Sequence, residues 1–260
     1  MFDLVATSRG KRRLKVRKYL KSKIMKLKFI VPVIFFLGFV FSNPVSAKDE
    51  ERNVPSFSEI SLRIPGKLYI EQGKKQHIEI NAESSTLEKI VTEVKGRKLI
   101  IRFTNKHFLW NNFKSGKISL YITVPEIDGL SISGSGDIIA DKPITTRILT
   151  LAVSGSGDIR LDNLKAERVK AAISGSGDIT IKDGGVADEL SISISGSGNV
   201  KASGFKAKEA NVKTAGSGDA SVYAINSLNI RVAGSGDVYY DGDPAIDSSI
   251  AGSGGVKKIK

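Results

Sequence analysis

The sequence predicts an all-β chain folded as a β-solenoid, a stack of short turns that share one interior. Three observations predict it: a Gly-Ser-Gly corner recurs seven times, apolar and polar residues alternate on both sides of each corner, and a looser polar corner closes each turn.

Residues 1–47 read as a leader and stand apart from the fold. From Met25, the better translation start, the run MKLKFIVPVIFFLGFVFSNPVSA has a short basic start and an apolar stretch of 13 residues, Phe29 to Phe41. It ends on the small residues Val45-Ser46-Ala47, the pattern that signal peptidase cuts. An apolar stretch this short falls below the roughly 20 residues that span a bilayer. Cleavage after Ala47 is therefore expected over an uncleaved membrane anchor. The expected product is exported to the periplasm, the outer membrane or the cell surface, and touches a membrane only through this segment if it is kept.

The leader holds 11 of the 40 basic residues and one of the 27 acidic ones, leaving 29 basic against 26 acidic residues and a net +3 over 48–260. So small a charge, without a basic block, excludes nucleic acid as an expected partner. With no cysteine, the chain has no disulfide, thiolate metal site, thiol nucleophile or lipid attachment through an N-terminal cysteine. No cofactor is implied. No second long apolar segment or run of membrane-barrel strands follows Ala47, so the chain is not expected to carry its own translocator.

Residues 54–125 lack the repeated corner but still alternate. Leu68 and Ile70, Ile78 and Ile80, then Ile118, Leu120, Ile122 and Val124 mark half-buried strands. A hairpin is expected at Lys95-Gly96, and Ser85 to Glu88 fits a capping box that starts one short helical turn. The alternation at Ile118 runs through Pro125 into the first repeat at Leu130, so 48–260 is expected as one domain with the repeats in 126–260.

The corners are paired glycines around a serine: Gly134 and Gly136, Gly155 and Gly157, Gly175 and Gly177, Gly196 and Gly198, Gly216 and Gly218, Gly234 and Gly236, Gly252 and Gly254. Their spacings are 21, 20, 21, 20, 18 and 18 residues. Two glycines permit backbone angles that other residues resist. Strands flank each corner, as in Leu130 and Ile132 before it and Ile138 and Ala140 after it, with period two. Asp162-Asn163, Asp183-Gly184 and Asp241-Gly242 make the looser corners. About seven rungs are expected, spaced roughly 4.8 Å apart. The residue before each first glycine is Ser or Ala, which predicts close packing against the corner. In the last copy Gly255 replaces Asp, and Lys258 stands where earlier copies are apolar, a charged end that blunts an exposed edge.

Stacking would align Asp137, Asp158, Asp178, Asn199, Asp219 and Asp237. Such a row is a calcium candidate. However, a turn Asp ordinarily accepts bonds from nearby peptide N–H groups, and the period does not match the nine-residue calcium-binding repeat, so the structural role is favoured. Phosphate binding is disfavoured because each corner leads into a strand and not a helix N-terminus. Catalysis needs different groups converging on a pocket, whereas these carboxylates form a line. No catalytic residue is assigned, and the histidines His77 and His107 fit no metal or triad motif. In 105–115, Phe108, Trp110, Asn111, Asn112 and Phe113 combine aromatic faces with amides, as sugar-binding surfaces do; the alternative is that these rings fill the core beneath a loop.

The row of Gly-Ser-Gly-Asp turns after a strand-rich half, typified by Leu130-Ser-Ile-Ser-Gly-Ser-Gly-Asp137, resembles the putative auto-transporter adhesin, head GIN domain family over about Val54 to Val256. The resemblance implies a right-handed, parallel, pectin-lyase-like β-helix and an adhesive function, with no transferable catalytic residues. The expected function is surface adhesion to a glycan or a surface protein. A polysaccharide-active enzyme on the same fold and an envelope scaffold or regulator without an external ligand are the alternatives. The oligomeric state is open.

Overall fold

The structure, a computed structural model, describes residues 47–104 and 115–259. The leader up to residue 46 and the aromatic segment 105–114 lie outside the described residues. Among the described residues no helix is long and apolar enough to cross a membrane.

The described chain is nearly all strand. Its N-terminal half holds β1 (Ala47–Glu51), β2 (Glu59–Leu62), β3 (Lys67–Gln72), β4 (His77–Glu83), one helical turn α1 (Ser84–Leu87), β5 (Ile90–Lys95), β6 (Lys98–Phe103) and β7 (Ser119–Val124). The repeat half runs β8 (Gly129–Gly134), β9 (Asp137–Ala140), β10 (Ile144–Gly155), β11 (Ile159–Leu161), β12 (Leu164–Gly175), β13 (Ile179–Ile181) and β14 (Val186–Gly196). It finishes with β15 (Val200–Gly216), β16 (Ala220–Gly234), β17 (Val238–Asp241), β18 (Ala245–Gly252) and β19 (Val256–Lys258).

Each turn of the repeat half lies parallel to the next and in register, so that Leu151 stands on Leu130 and Ile159 on Ile138. The result is a β-solenoid of about six turns. The count differs from the seven expected rungs because a complete turn runs from one corner to the next, and seven corners enclose six. Inward residues line up in buried columns. Ile132, Val153, Ile173, Ile194, Thr214 and Val232 form one, and Ile138, Ile159, Ile179, Val200, Ala220 and Val238 face it from the other arm. No single turn could bury its apolar side alone; the stack buries all of them.

The N-terminal half joins the same stack without the repeated corner. β2 and β3 stack directly on β8 and β9, turning through Ile64-Pro65-Gly66. β6 and β7 stack on the far side of β2 and β3. From β2, inside the stack, the chain runs out to one end and then builds the repeats on the opposite side. Antiparallel strands finish that end, β5 against β6 on one face and β4 then β1 on the other. The Lys95-Gly96 hairpin is present, with Gly96 at φ +63°. The capping box is not: α1 is entered from Glu83, the last residue of β4, and no side chain caps it. Strand β4 sets where the turn begins, one residue ahead of Ser85.

The shortening of the period from 20 to 18 residues lies on the closing side of the turn. Opposite β16, strand β15 loops out Ser203, Gly204 and Phe205 between the pairs Ala202–Val222 and Lys206–Tyr223, and β16 takes back one residue between the pairs Ala207–Ala224 and Glu209–Ser227, a net difference of two. Phe205 turns fully inward and fills the space beside Gly184, which has no side chain to block it.

Candidate functional site

The seven corners make one long edge of the molecule. Every first glycine adopts a positive φ, between +123° and +138°. From Gly157 onward, a Cβ on each second glycine would lie 1.9–2.2 Å from the carbonyl oxygen of the second glycine one turn below. Backbones at this edge touch directly, so only glycine fits.

The aspartates join the turns. The Asp158 peptide N–H donates to Asp137 Oδ1 at 3.3 Å, Asp178 to Asp158 at 2.8 Å, and Asn199 to Asp178 at 2.9 Å. Asp219 then donates to Asn199 Oδ1 at 3.0 Å, Asp237 to Asp219 at 2.7 Å, and Gly255 to Asp237 at 2.8 Å. Each side chain accepts the N–H one turn further on, which Asn does as well as Asp. At the seventh corner the position is Gly255, which donates its N–H and has no side chain to accept one. Lys201 reaches Asp178 Oδ2 at 2.7 Å, and Lys257 pairs with Asp237 Oδ2. Burial opposes ionisation of Asp178, but the Lys201 ammonium and the Asn199 N–H groups outweigh it and hold the carboxyl below its ordinary value. Among the described residues, no three His, Asp or Glu side chains converge in a metal-binding group.

The small residues before the corners are not packed. Ser133, Ser154, Ser174, Ser195, Ala215, Ala233 and Ala251 are all exposed. The parity of the strand points them outward, away from the column that begins at Ile132, and no part of the described chain covers them.

Of the aromatic segment predicted to bind sugar, Phe108, Trp110, Asn111, Asn112 and Phe113 lie outside the described residues. The structure shows a different aromatic site. Strands β3 and β7 share the triplet Leu-Tyr-Ile, at 68–70 and 120–122, and stack it in register. The leucines and isoleucines are buried, and the alternation sends Tyr69 and Tyr121 outward. Their rings stack with centroids 5.3 Å apart and planes 11° from parallel. Tyr121 keeps 46% of its surface exposed.

A groove of about 310 Å³ opens beside these rings, lined also by Glu71, His77, Ile139, Asp141 and Lys142. Glu71 accepts a bond from Thr123 at 3.2 Å and pairs with Lys142. The Lys142 ammonium holds the Glu71 carboxyl below the usual carboxylate range, against the opposing effect of burial. Asp141 meets Arg160 at 2.5 Å, and Arg160 also reaches Asp162 at 3.1 Å, which binds Lys182 at 2.9 Å. His77 Nε2 lies 3.7 Å from Glu79. Positive and negative groups therefore alternate along this outer face, away from the groove and up the stack. The tyrosine pair is absent from the sequence-based expectations; the repeated Leu-Tyr-Ile triplet was its signal.

A family model described as putative auto-transporter adhesin, head GIN domain, matches residues 56–244. The chain is similar to a solved putative adhesin from Bacteroides fragilis, at 25% identity and a TM-score of 0.76, covering 82% of this chain and 97% of that one. It is also similar to a putative lipid binding protein from Parabacteroides distasonis, at 28% identity and a TM-score of 0.71, covering 84% and 98%. A putative adhesin from the same organism matches at 25% identity and a TM-score of 0.66, covering 83% and 98%. No curated protein matches the chain.

Proposed function

The chain belongs to the putative auto-transporter adhesin, head GIN domain family, and from that premise we propose that it is an exported, non-catalytic adhesion module that holds a glycan or a surface protein. The observation that carries the reading is the outer face of β3, β7, β9 and β11. Register-matched strands set out aromatic and paired charged side chains there in rows, from Tyr121 and Tyr69 to Ile139 and Arg160. Rows of similar groups at a fixed spacing suit many weak contacts with a polymer or a surface, and multivalency makes such contacts strong. The leader pattern before Lys48 supports export, and the solved relatives named as adhesins support the class.

Binding of the chain to immobilised glycans and matrix proteins, with and without calcium, tests this reading. Saturable binding to at least one surface is expected; binding to none overturns it. A calcium requirement would return Asp137, Asp158, Asp178, Asp219 and Asp237 to the site.

One observation favours a second reading, a polysaccharide-active enzyme. The groove holds acidic and basic groups together: Glu71, Asp141, His77 and Lys142. Against it, glycoside cleavage needs a carboxyl that stays protonated to donate a proton, and Lys142 holds Glu71 in the ionised form. Release of reducing ends from a polysaccharide panel would favour the enzyme.

A further inference from the structure

We propose that the groove beside Tyr69 and Tyr121 is a binding site for a neutral saccharide. The inference deepens the adhesion reading and rests on it. Nothing in the core requires tyrosine at these two places, because burial on β3 and β7 is complete with Leu68, Ile70, Leu120 and Ile122. Further along the same outward row, where the fold is identical, stand Ile139, Arg160, Thr180 and Lys201. Two stacked rings, one of them half in solvent, are a local addition to the repeat.

The chemistry around the rings selects the ligand class. Sugar rings offer a weakly polar C–H face, which an aromatic side chain accepts, and hydroxyls that donate and accept together. The groove supplies both kinds of partner: carboxylate acceptors on Glu71 and Asp141, and donors on Lys142 and the two phenols. Each carboxylate already has a cation beside it, Lys142 for Glu71 and Arg160 for Asp141, so no unbalanced charge remains to select an ionic ligand. The volume of about 310 Å³ lies at the small end of ligand sites. An acyl chain would need an enclosed apolar slot; this groove is open and rimmed by charge.

The test is titration calorimetry of the chain with neutral hexa-saccharides of glucose, mannose, galactose and xylose. Polygalacturonate and phosphatidylglycerol vesicles serve as the anionic and lipid arms. Tyr121→Ala is the probe, because an exposed outward ring can be removed without opening the core, and Tyr239→Ala on the same face is the control. At least one neutral saccharide is expected to bind, about tenfold or more weaker to Tyr121→Ala, with unchanged affinity for Tyr239→Ala and a single cooperative melting transition in both variants. Equal binding by wild type and Tyr121→Ala overturns the site, as does binding of the anionic or lipid probe alone. If the wild type adheres to a matrix protein but to no saccharide, the groove proposal fails while the adhesion reading stands; if it adheres to nothing, both fail.

Discussion

The carboxylate of Asp158 accepts the peptide N–H of Asp178 from the next turn at 2.8 Å. A side chain here takes the place of a backbone carbonyl at the tightest point of the coil, where the chain reverses and the ordinary ladder is interrupted.

Replacing Asp158 by Ala leaves that N–H to water and is expected to cost about 0.5–1.5 kcal/mol. Asp158→Asn keeps the accepting oxygen, as Asn199 does naturally toward Asp219, and should fall within about 0.5 kcal/mol of wild type. Urea midpoints of the three proteins check the order.

The glycines differ in what they prevent. A Cβ on Gly177 would lie 2.0 Å from the Gly157 carbonyl oxygen, whereas one on Gly134, at φ +129°, meets nothing within 4 Å. Gly134→Ala therefore costs backbone strain alone, about 1–3 kcal/mol. Gly177→Ala must also push adjacent turns apart, and should exceed about 4 kcal/mol. Calorimetric melting of both variants checks the difference; equal melting temperatures would speak against the close stacking.

Thr214 stands in a column of Ile and Val, is 4% exposed, and its Oγ1 has no hydrogen-bond partner. Thr214→Val keeps the shape and removes a buried, unpaired hydroxyl. It is expected to stabilise the fold by roughly 1 kcal/mol, read as a raised urea midpoint with an unchanged slope.

Asp178 and Asp237 titrate below their ordinary value of 3.8 in the folded chain, Asp178 for the reasons above and Asp237 chiefly through Lys257. A carboxyl whose folded value is depressed contributes stability above its unfolded value and loses it as pH falls through the folded one. Stability should therefore drop as pH is lowered below about 4. The double variant Asp178→Asn, Asp237→Asn should show a shallower drop, which melting temperatures measured from pH 6 to pH 3 would reveal.

The repeats were legible because both periods, the corner's and the strand's, are local. Gly134 to Gly254 and the alternation around them specify the stack without knowledge of anything distant. The N-terminal turns were only half legible. Leu68, Ile78 and Ile118 announce strands, but β6 and β7 join the stack outside β2 and β3, an order set by pairing between distant residues such as Leu62 and Ile101. The same holds for the tyrosine pair, whose partners are 52 positions apart and meet only because β3 and β7 share a register. The small residues before the corners misled because restricted size resembles close packing; their direction, outward from Ile132 and its column, decides against it. Each hydrogen bond of the aspartate row could be inferred only as a type, since its donor lies a full turn away.

Amide exchange at Asp178, followed residue by residue by NMR in wild type and in Asp158→Ala, decides whether the aspartate ladder joins the turns. A protected Asp178 amide is expected in wild type, exchanging about tenfold faster in the variant, with the Asp219 amide unchanged and no effect of calcium on either. Equal exchange at Asp178 in both proteins, or protection that arises only when calcium is added, would overturn the ladder.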